Sequence, residues 1–470
     1  MLVCAITEST IEKVLAEIEK AAPLADTVEL RIDYLDPEAL SRIGEVVSAC
    51  LLPLIFTFRR ADQGGRKEME EKARLGLIEQ LLVHQPAYCD LEADTDPVFL
   101  DRIGSKFPKT QFIGSYHDFG KTPADLEAVL NRMAHPRFSL YKIAVKANST
   151  IDCLKLMIFL KNHSSKGNLC CISMGEFGKP SRVIGKILGN ALDYSANEEE
   201  QTQLHRYNLK TLLDVFHYRN LNAKTRIYSL IGDPVEQSPG HFFHNEEFRK
   251  HKINSVYIKM KTQPEEIPEF FSLIQQLPFS GLSVTIPLKE VVFSHMDQIA
   301  PDAQQIGAIN TVKIAGGMLR GSNTDAPGAL NAIERHLKVK NKQVAVLGAG
   351  GTARAIVFEA KKRGASVAIF NRTADRATEL AAEMGCQGFS LEGLPSHPYD
   401  LLVNTTAPSS DGKAPIPASQ VIPKTAVMDV IYYPKETPVL KEANERGCSC
   451  IYGEEMFREQ AFLQQETWRD

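Results

Sequence analysis

Short runs of β-branched and aliphatic residues recur along the first two hundred positions, with segments of helical character between them. This alternation constrains the fold more than any other feature. The apolar runs fall at residues 2–7, 28–33, 54–58, 87–92, 111–117, 140–145, 169–174 and 191–195. Helical segments are predicted at 10–22, 37–49, 68–83, 123–134 and 149–163. Parallel strands need a crossover long enough for a helix, so the pattern implies βα units on a parallel sheet. A closed (β/α)8 barrel and an open doubly wound sheet both meet that demand. Eight strands in roughly 200 residues favour a barrel of minimal length.

Polar residues gather at the C-terminal ends of these runs: Glu29, Arg31 and Asp33 on the second, Arg59 after the third, Glu92 on the fourth and His117 on the fifth. A barrel carries its active site at that end. Lys142 lies inside the sixth run, flanked by Tyr141 and Ile143. A charge at a strand position is either a functional group or a lysine snorkelling out of a strand end.

From about residue 225 a second programme begins. Strands are expected at 226–232, 255–260, 281–287 and 311–315, then at 344–347, 366–370, 400–403, 426–430 and 448–452. The join at 217–226 is short and polar, without Gly or Pro, which suggests halves packed together rather than loosely tethered. The whole chain, at 470 residues, is long enough for two or three domains.

Composition excludes several classes. Hydrophobic residues make up 43% and charged residues 24%, the balance of a globular protein. A formal charge of −4 gives no basic footprint for nucleic acid. No run approaches the roughly 18 apolar residues of a membrane span, and nothing at the N-terminus has the form of a signal or transit segment. Nine cysteines without a CxxC pair suggest neither a disulfide scaffold nor a zinc module. The cytoplasm is the expected compartment, with no membrane or nucleic-acid partner.

Gly348-Ala349-Gly350-Gly351-Thr-Ala353 follows an apolar strand and opens a helix. Glycines there permit a tight turn and close backbone approach to a pyrophosphate, whose charge meets the helix N-terminus. The alternative is a glycine loop serving only helix–strand packing. An NAD site would place Asp or Glu at the end of the next strand. This chain has Asn371-Arg372-Thr373, with Arg376 one turn on, and a guanidinium suits a 2′-phosphate. NADP is therefore the expected cofactor, although an arginine on a solvated helix start would look the same. Upstream, Lys289 and Asp325 could deliver the proton that a ketone needs when hydride reduces it. Each could equally be a surface residue after a strand.

These residues carry a family resemblance. The second half resembles shikimate dehydrogenase through Ile231-Gly-Asp-Pro-Val235, Val284-Thr-Ile-Pro-Leu-Lys289, Gly307-Ala-Ile-Asn-Thr311, Asn323-Thr-Asp-Ala-Pro-Gly328, the Gly348 loop, Asn371-Arg-Thr373 and Gly453-Glu-Glu-Met456 with Gln460. The first half resembles type I 3-dehydroquinate dehydratase through Glu29-Leu-Arg-Ile-Asp33, Thr57-Phe-Arg59 with Gly64-Gly65, Ser115-Tyr-His-Asp-Phe119, Lys142-Ile-Ala144, Ser173-Met-Gly175 and Ser181-Arg182. The order of the halves is similar to the fused dehydratase–dehydrogenase of plants and some bacteria.

The resemblance implies an α/β chain in three parts: a barrel over 1–218, a shikimate-binding lobe over 225–326 with 451–470, and a Rossmann NADP lobe over 327–450. It implies that Lys142 forms a Schiff base with 3-dehydroquinate and that His117 moves the protons. Glu29, Arg31, Arg59, Met174, Arg182 and Ser195 would contact that substrate. In the second half, NADPH would reduce 3-dehydroshikimate to shikimate, with Lys289 and Asp325 handling the proton. Ser238, Thr285, Asn310, Tyr432 and Gln460 match substrate-binding positions, and Gly453 joins the nucleotide-binding set. No metal is implied, and His241 and His244 with Glu247 nearby make only a superficial metal site. Two other readings keep the same frame: a dehydrogenase that accepts quinate, and a non-catalytic barrel carried by an active dehydrogenase.

Three departures from the family patterns stand out. The barrel family usually has Glu-Gly-Gly after its arginine, and this chain has Gln63-Gly64-Gly65. Its usual Ser-Ala-Pro-Gly-Gln lid is here Ser195-Ala-Asn-Glu-Glu-Glu-Gln201. The dehydrogenase Ser-x-Ser becomes Ser238 with Gly240, losing one hydroxyl donor, worth on the order of 1 kcal/mol in binding. Losing a carboxylate at position 63 should lower the pKa of His117 relative to relatives. A Gln63→Glu variant should accordingly move the acid limb of the dehydratase pH–rate profile to higher pH. An unmoved limb would contradict that link.

Overall fold

The computed structural model describes residues 1–198, 207–407 and 413–469. Contacts divide the chain into two compact units, one of Met1–Ile227 with Asn245–Phe279, the other of Tyr228–His244 with Ser280–Asp470.

Eight parallel strands form the heart of the first unit: β1 (Leu2–Ile6), β2 (Thr27–Arg31), β3 (Leu54–Thr57), β4 (Tyr88–Glu92), β5 (Gln111–Asp118), β6 (Phe138–Lys146), β7 (Leu169–Met174) and β8 (Asp193–Ser195). They pair in the order β7-β6-β5-β4-β3-β2-β1-β8. This is the expected barrel, nearly closed rather than continuous, because β7 and β8 are not hydrogen-bonded as a ladder. β8 is only three residues long, and all three pair with β1. A side chain fills the seam instead. Asn190 Oδ1 accepts the Cys171 amide at 2.7 Å, while Nδ2 donates to Leu192 O at 2.9 Å and Asp193 Oδ1 at 2.8 Å. Tyr218 donates to the other Asp193 oxygen at 2.7 Å.

Apolar inward residues, among them Val3, Ile55, Ile113, Cys170, Ile172 and Tyr194, make one packed cluster. Two crossover helices start where expected, Thr10 capping Ile11–Ala21 and Ser149 capping Thr150–His163, while Pro97–Lys106, capped by Asp96, is absent from the sequence expectations. In Thr150–His163, eight residues including Ile151, Leu154, Met157, Phe159 and Leu160 are buried, on more than one side of the helix. Within the same unit the helix Ile267–Ile274 packs on it. Ile267, Phe270, Phe271 and Ile274 are all buried, each side chain worth about 1.5–3 kcal/mol relative to exposure. β10 (Ser255–Lys261) belongs to this unit too, after β9 (Arg226–Gly232).

In the second unit, β11 (Phe279–Val284) runs antiparallel to β13 (Thr311–Ala315), which makes a hairpin with β14 (Met318–Ser322); the two-residue β12 (Gln298–Ile299) lies parallel to β14. A second, wholly parallel sheet holds β15 (Gln343–Leu347), β16 (Ser366–Asn371), β17 (Gln387–Ser390), β18 (Leu401–Asn404), β19 (Ala426–Asp429) and β20 (Ser449–Ile451), in the order β17-β16-β15-β18-β19-β20. That is the doubly wound dinucleotide-binding order, with its switch point between β15 and β18. Strands β12, β14 and β17 are absent from the sequence expectations. They are short or alternate with exposed and glycine positions, so no apolar run marks them. No helix among the described residues is long and apolar enough to cross a membrane.

The seam makes Asn190 a stability determinant. Asn190→Ala would leave the Cys171 amide and one Asp193 oxygen without their partner, and should lower the barrel's unfolding free energy by about 2–3 kcal/mol in urea titrations. An unchanged midpoint would show that the carboxamide does not hold the seam.

Candidate active sites

The barrel register builds a layer of charge. Thr57 stands opposite Asp90, Glu92 opposite Ser115, and Ser115 opposite Lys142. Residues two apart on a strand share a face, so Asp90 with Glu92, and Ser115 with His117, turn the same way. Lys142 is 3% exposed. Its ammonium pairs with Asp90 Oδ2, lies 3.7 Å from Glu29 Oε1, and sits 4.5 Å from the centre of the Tyr194 ring. The other Asp90 oxygen accepts from Arg59 Nη2 and from Ser115 Oγ, both at 2.6 Å. Arg59 Nη1 also reaches Glu92 at 3.1 Å, and Arg74 meets the second Glu92 oxygen at 3.0 Å. Three buried cations, Lys142, Arg59 and Arg74, thus face three buried carboxylates, Glu29, Asp90 and Glu92.

Burial alone would raise the Asp90 pKa, but the charges of Arg59 and Lys142 outweigh it and hold the carboxyl far below the usual carboxylate range. His117 moves oppositely for an imidazole. Burial first, then the charges of Arg59 and Lys142, push its pKa well below the ordinary value, with Asp90 pulling the other way. It is a neutral ring at pH 7, able to accept a proton. Its Nδ1 has no hydrogen-bond partner among the described residues, and its ring stacks on Phe119 with centroids 6.3 Å apart. Gln63 is indeed beside it, but its side-chain oxygen accepts the His117 backbone amide at 3.2 Å rather than a ring nitrogen.

Arg31 forks onto Asp33, at 2.9 Å and 2.8 Å, and touches Gly64 O at 3.2 Å. The chain folds so tightly here that a Cβ on Gly65 would lie 2.0 Å from Arg59 O, which explains the glycine. Arg59, expected to meet substrate, is wholly buried on the protein's own carboxylates and Ser115. Arg182 Nη1 donates to Tyr194 O at 3.4 Å, Met174 packs in the barrel cluster, and Ser195 is buried with its hydroxyl on Tyr207 O at 2.7 Å. Of the lid, Glu199, Glu200 and Gln201 lie outside the described residues.

The second unit joins Lys289, Asp325, Asn310 and Gln460 in one network. Lys289 Nζ donates to Asp325 Oδ2 at 2.5 Å. Asn310 Nδ2 donates to Asp325 Oδ1 at 2.8 Å and lies 3.4 Å from Gln460 Oε1. Ser238 bonds to Tyr432, whose phenol is pushed up in pKa by burial. Thr285 is half-buried in the turn before Lys289, its amide on Ile231 O at 2.9 Å.

The glycine turn leaves β15 at Leu347. Gly348 has φ +111, and a Cβ there would stand 2.5 Å from Thr405 Oγ1, so only glycine fits. Gly350 is extended, and a helix starts at Gly351. At the end of β16, Asn371 Nδ2 donates to Thr373 O at 3.0 Å. Arg372 and Arg376 are exposed, with no ion-pair partner among the described residues. A Cβ on Gly453 would lie 2.5 Å from Ile431 O, which fixes the helix Gly453–Arg469 against the chain beyond β19. This cradle at the sheet's switch point, with two free guanidinium groups at the end of the second strand, fits a dinucleotide bearing a 2′-phosphate. His244 is buried, its pKa pushed down to about 3, and it meets Gln465 at 3.0 Å; among the described residues no group of three or more His, Cys, Asp or Glu could hold a metal.

Asp90, Tyr194 and Thr352 are missing from the expected sets. Asp90 had a usable signal, a second carboxylate two positions before Glu92 inside an apolar run. Thr352, 2.9 Å from Lys289 Nζ, directly follows the glycine turn.

Residues 2–222 match the family model for type I 3-dehydroquinase, residues 230–312 that for the shikimate dehydrogenase substrate binding domain, and residues 331–409 that for shikimate / quinate 5-dehydrogenase. The chain is 32% identical over 455 residues to the shikimate biosynthesis protein AroDE of Chlamydia pneumoniae, covering 96% of this chain and 92% of the relative. It is 32% identical over 501 residues to a chloroplastic bifunctional 3-dehydroquinate dehydratase/shikimate dehydrogenase of Arabidopsis thaliana, covering 99% and 82%. A crystal structure of shikimate dehydrogenase from Aquifex aeolicus superposes with a TM-score of 0.50 at 34% identity, over 53% of this chain and 94% of that one.

Asp90 supplies stability that is present above its unfolded pKa of about 3.9 and is lost as pH falls toward the depressed folded value. Asp90→Asn should remove that acid dependence and lower stability by about 3–5 kcal/mol, since Arg59 and Lys142 lose a shared counter-charge. Denaturant titrations from about pH 2 to 5 would show it, and a variant curve parallel to the wild-type one would contradict it.

Proposed function

The chain belongs to the bifunctional 3-dehydroquinate dehydratase/shikimate dehydrogenase family, and from that premise we propose how its own residues divide the two reactions. The buried Lys142–Asp90 pair, beside a neutral histidine, carries the reading for the barrel.

The Lys142 ammonium gives a proton to His117, the freed amine attacks the ketone of 3-dehydroquinate, and His117 returns the proton to the carbinolamine hydroxyl, which leaves as water and gives an iminium. Its positive charge replaces that of the ammonium in the same place, so Asp90 faces a cation both before and after imine formation; when the C–H proton moves, that charge passes to His117 and returns to the nitrogen as the hydroxyl leaves. The iminium draws electrons from the adjacent C–H bond, and His117 takes that proton. The departing hydroxyl then receives the proton from His117 and leaves as water. Hydrolysis of the imine frees Lys142 and 3-dehydroshikimate. Glu29, Arg31, Met174, Arg182 and Ser195 shape the substrate site, whereas Arg59 acts on it through Asp90 and Glu92.

In the second unit, Lys289 protonates the carbonyl oxygen of 3-dehydroshikimate, and Asp325, held by Asn310, keeps the ammonium in place. Ser238, Thr285, Tyr432 and Gln460 bind the substrate's hydroxyl and carboxylate groups. The backbone at Gly348, Ala349, Gly350 and Gly351 would hold the pyrophosphate of NADP(H), with Asn371, Arg372, Thr373 and Arg376 at its 2′-phosphate and Gly453 lining the site. When bound, that cofactor supplies the hydride. The proposed three-part division keeps 225–326 with 451–470 for substrate and 327–450 for nucleotide. All nine cysteines are free thiols, which suits a reducing cytoplasm.

Adding 3-dehydroquinate and NADPH to the purified chain should give continuous loss of nicotinamide absorbance, because turnover needs both sites. A flat trace beside a positive 3-dehydroshikimate control would contradict the barrel assignment. With NADP, shikimate should be oxidised in preference to quinate; the reverse order would assign the second site to quinate, an altered substrate choice of the kind that the hydroxyl lost at Gly240 would signal.

A further inference from the structure

The Lys289 ammonium has three N–H donors, and the structure fixes two of them. One goes to Asp325 Oδ2 at 2.5 Å, the other to Thr352 Oγ1 at 2.9 Å. These partners come from two different helices. Asp325 begins the helix Asp325–Ile333 and belongs to the Asn310–Gln460 network. Thr352 lies in the first turn of the helix Gly351–Lys362, straight after the glycine turn.

The lysine stem also lies along that turn. A Cβ on Gly351 would stand 3.2 Å from Lys289 Cβ and 3.4 Å from Ala308 Cβ, so the nucleotide loop and the lysine are in close approach before any hydrogen bond is counted. The first N–H groups of a helix have no partner inside it and are the groups that meet a phosphate. A displacement of this turn when phosphate binds therefore moves Thr352 relative to Lys289.

We propose that Thr352 is a positioning residue, which holds the Lys289 ammonium in its reactive pose and couples nucleotide binding to that pose. The inference rests on reading the second unit as a shikimate dehydrogenase. With Asp325 and Thr352 occupying two donors, the third is left for the substrate oxygen. Loss of the threonine hydroxyl frees the ammonium to rotate about its stem, which misplaces the proton donor without removing it. Because binding linkage is reciprocal, shikimate must alter NADPH affinity by the factor that NADPH alters shikimate affinity.

The test uses the full chain as wild type, Thr352→Val and Thr352→Ser. Valine keeps the branched shape and removes the hydroxyl, while serine keeps the hydroxyl. In shikimate oxidation with NADP, Thr352→Val should lower kcat about tenfold while the NADP Kd without shikimate stays within about twofold, as expected for losing one hydrogen bond from a charged group. Thr352→Ser should recover most of the lost kcat. NADPH with shikimate forms a complex that cannot react, so nicotinamide fluorescence can give the NADPH Kd with and without shikimate. The ratio of those constants should differ severalfold from one in the wild type, fall to about one in Thr352→Val, and return in Thr352→Ser. A Thr352→Val enzyme with wild-type kcat and ratio overturns the inference, as does a serine variant as impaired as the valine one. A wild type that oxidises no shikimate overturns the reading of the second unit and takes the inference with it; an active wild type with an indifferent valine variant overturns the inference alone.

Discussion

A lysine buried inside a barrel must be matched by negative charge, and that requirement organises the first unit. Removing an ammonium from water costs several kcal/mol even after relaxation, so Lys142 is tolerable only beside Asp90 and Glu29. Asp90 and Glu92, being buried in turn, need Arg59, Ser115 and Arg74. Each strand from β2 to β6 therefore contributes a polar residue to one connected layer, beside an apolar cluster that includes Val3, Ile55, Ile113, Cys170 and Ile172. The cations in that layer, together with burial, keep His117 neutral. One electrostatic constraint thus yields a cation site for an iminium and a base next to it.

The second unit solves a related problem with different partners. Lys289 also pairs with an aspartate whose second oxygen is fixed, but the fixing group is the neutral amide of Asn310 rather than a guanidinium. Lys289 and Asp325 are also less deeply buried than Lys142 and Asp90. The difference matches the chemistry proposed for each. The Lys142 nitrogen returns to a cation at each resting stage, as ammonium and then as iminium, whereas Lys289 gives its proton away to product and needs softer surroundings.

Much of this was legible in the residue pattern. The eight barrel strands follow from apolar runs bounded by helical segments, and Lys142 announces itself as a charge inside such a run. Asp90 sits inside the run 87–92 in the same way, but only the pairing register tells that it faces Lys142, fifty-two positions on. Arg59 looks like a substrate arginine until its burial is seen. The Lys289–Thr352 contact spans sixty-three positions and two separate motifs, so neither motif alone contains it. The β7–β8 seam was equally hidden, since nothing in a three-residue strand shows that an asparagine side chain completes it.

The central claim is that Lys142 forms the covalent bond and that its neighbours exist to hold the resulting cation. Trapping tests it most directly: the chain is mixed with 3-dehydroquinate, reduced with borohydride, digested and mapped by peptide mass. The account predicts a ligand-derived mass increment on Lys142 and on no other lysine. An unmodified Lys142, or the increment on a different residue, would contradict it.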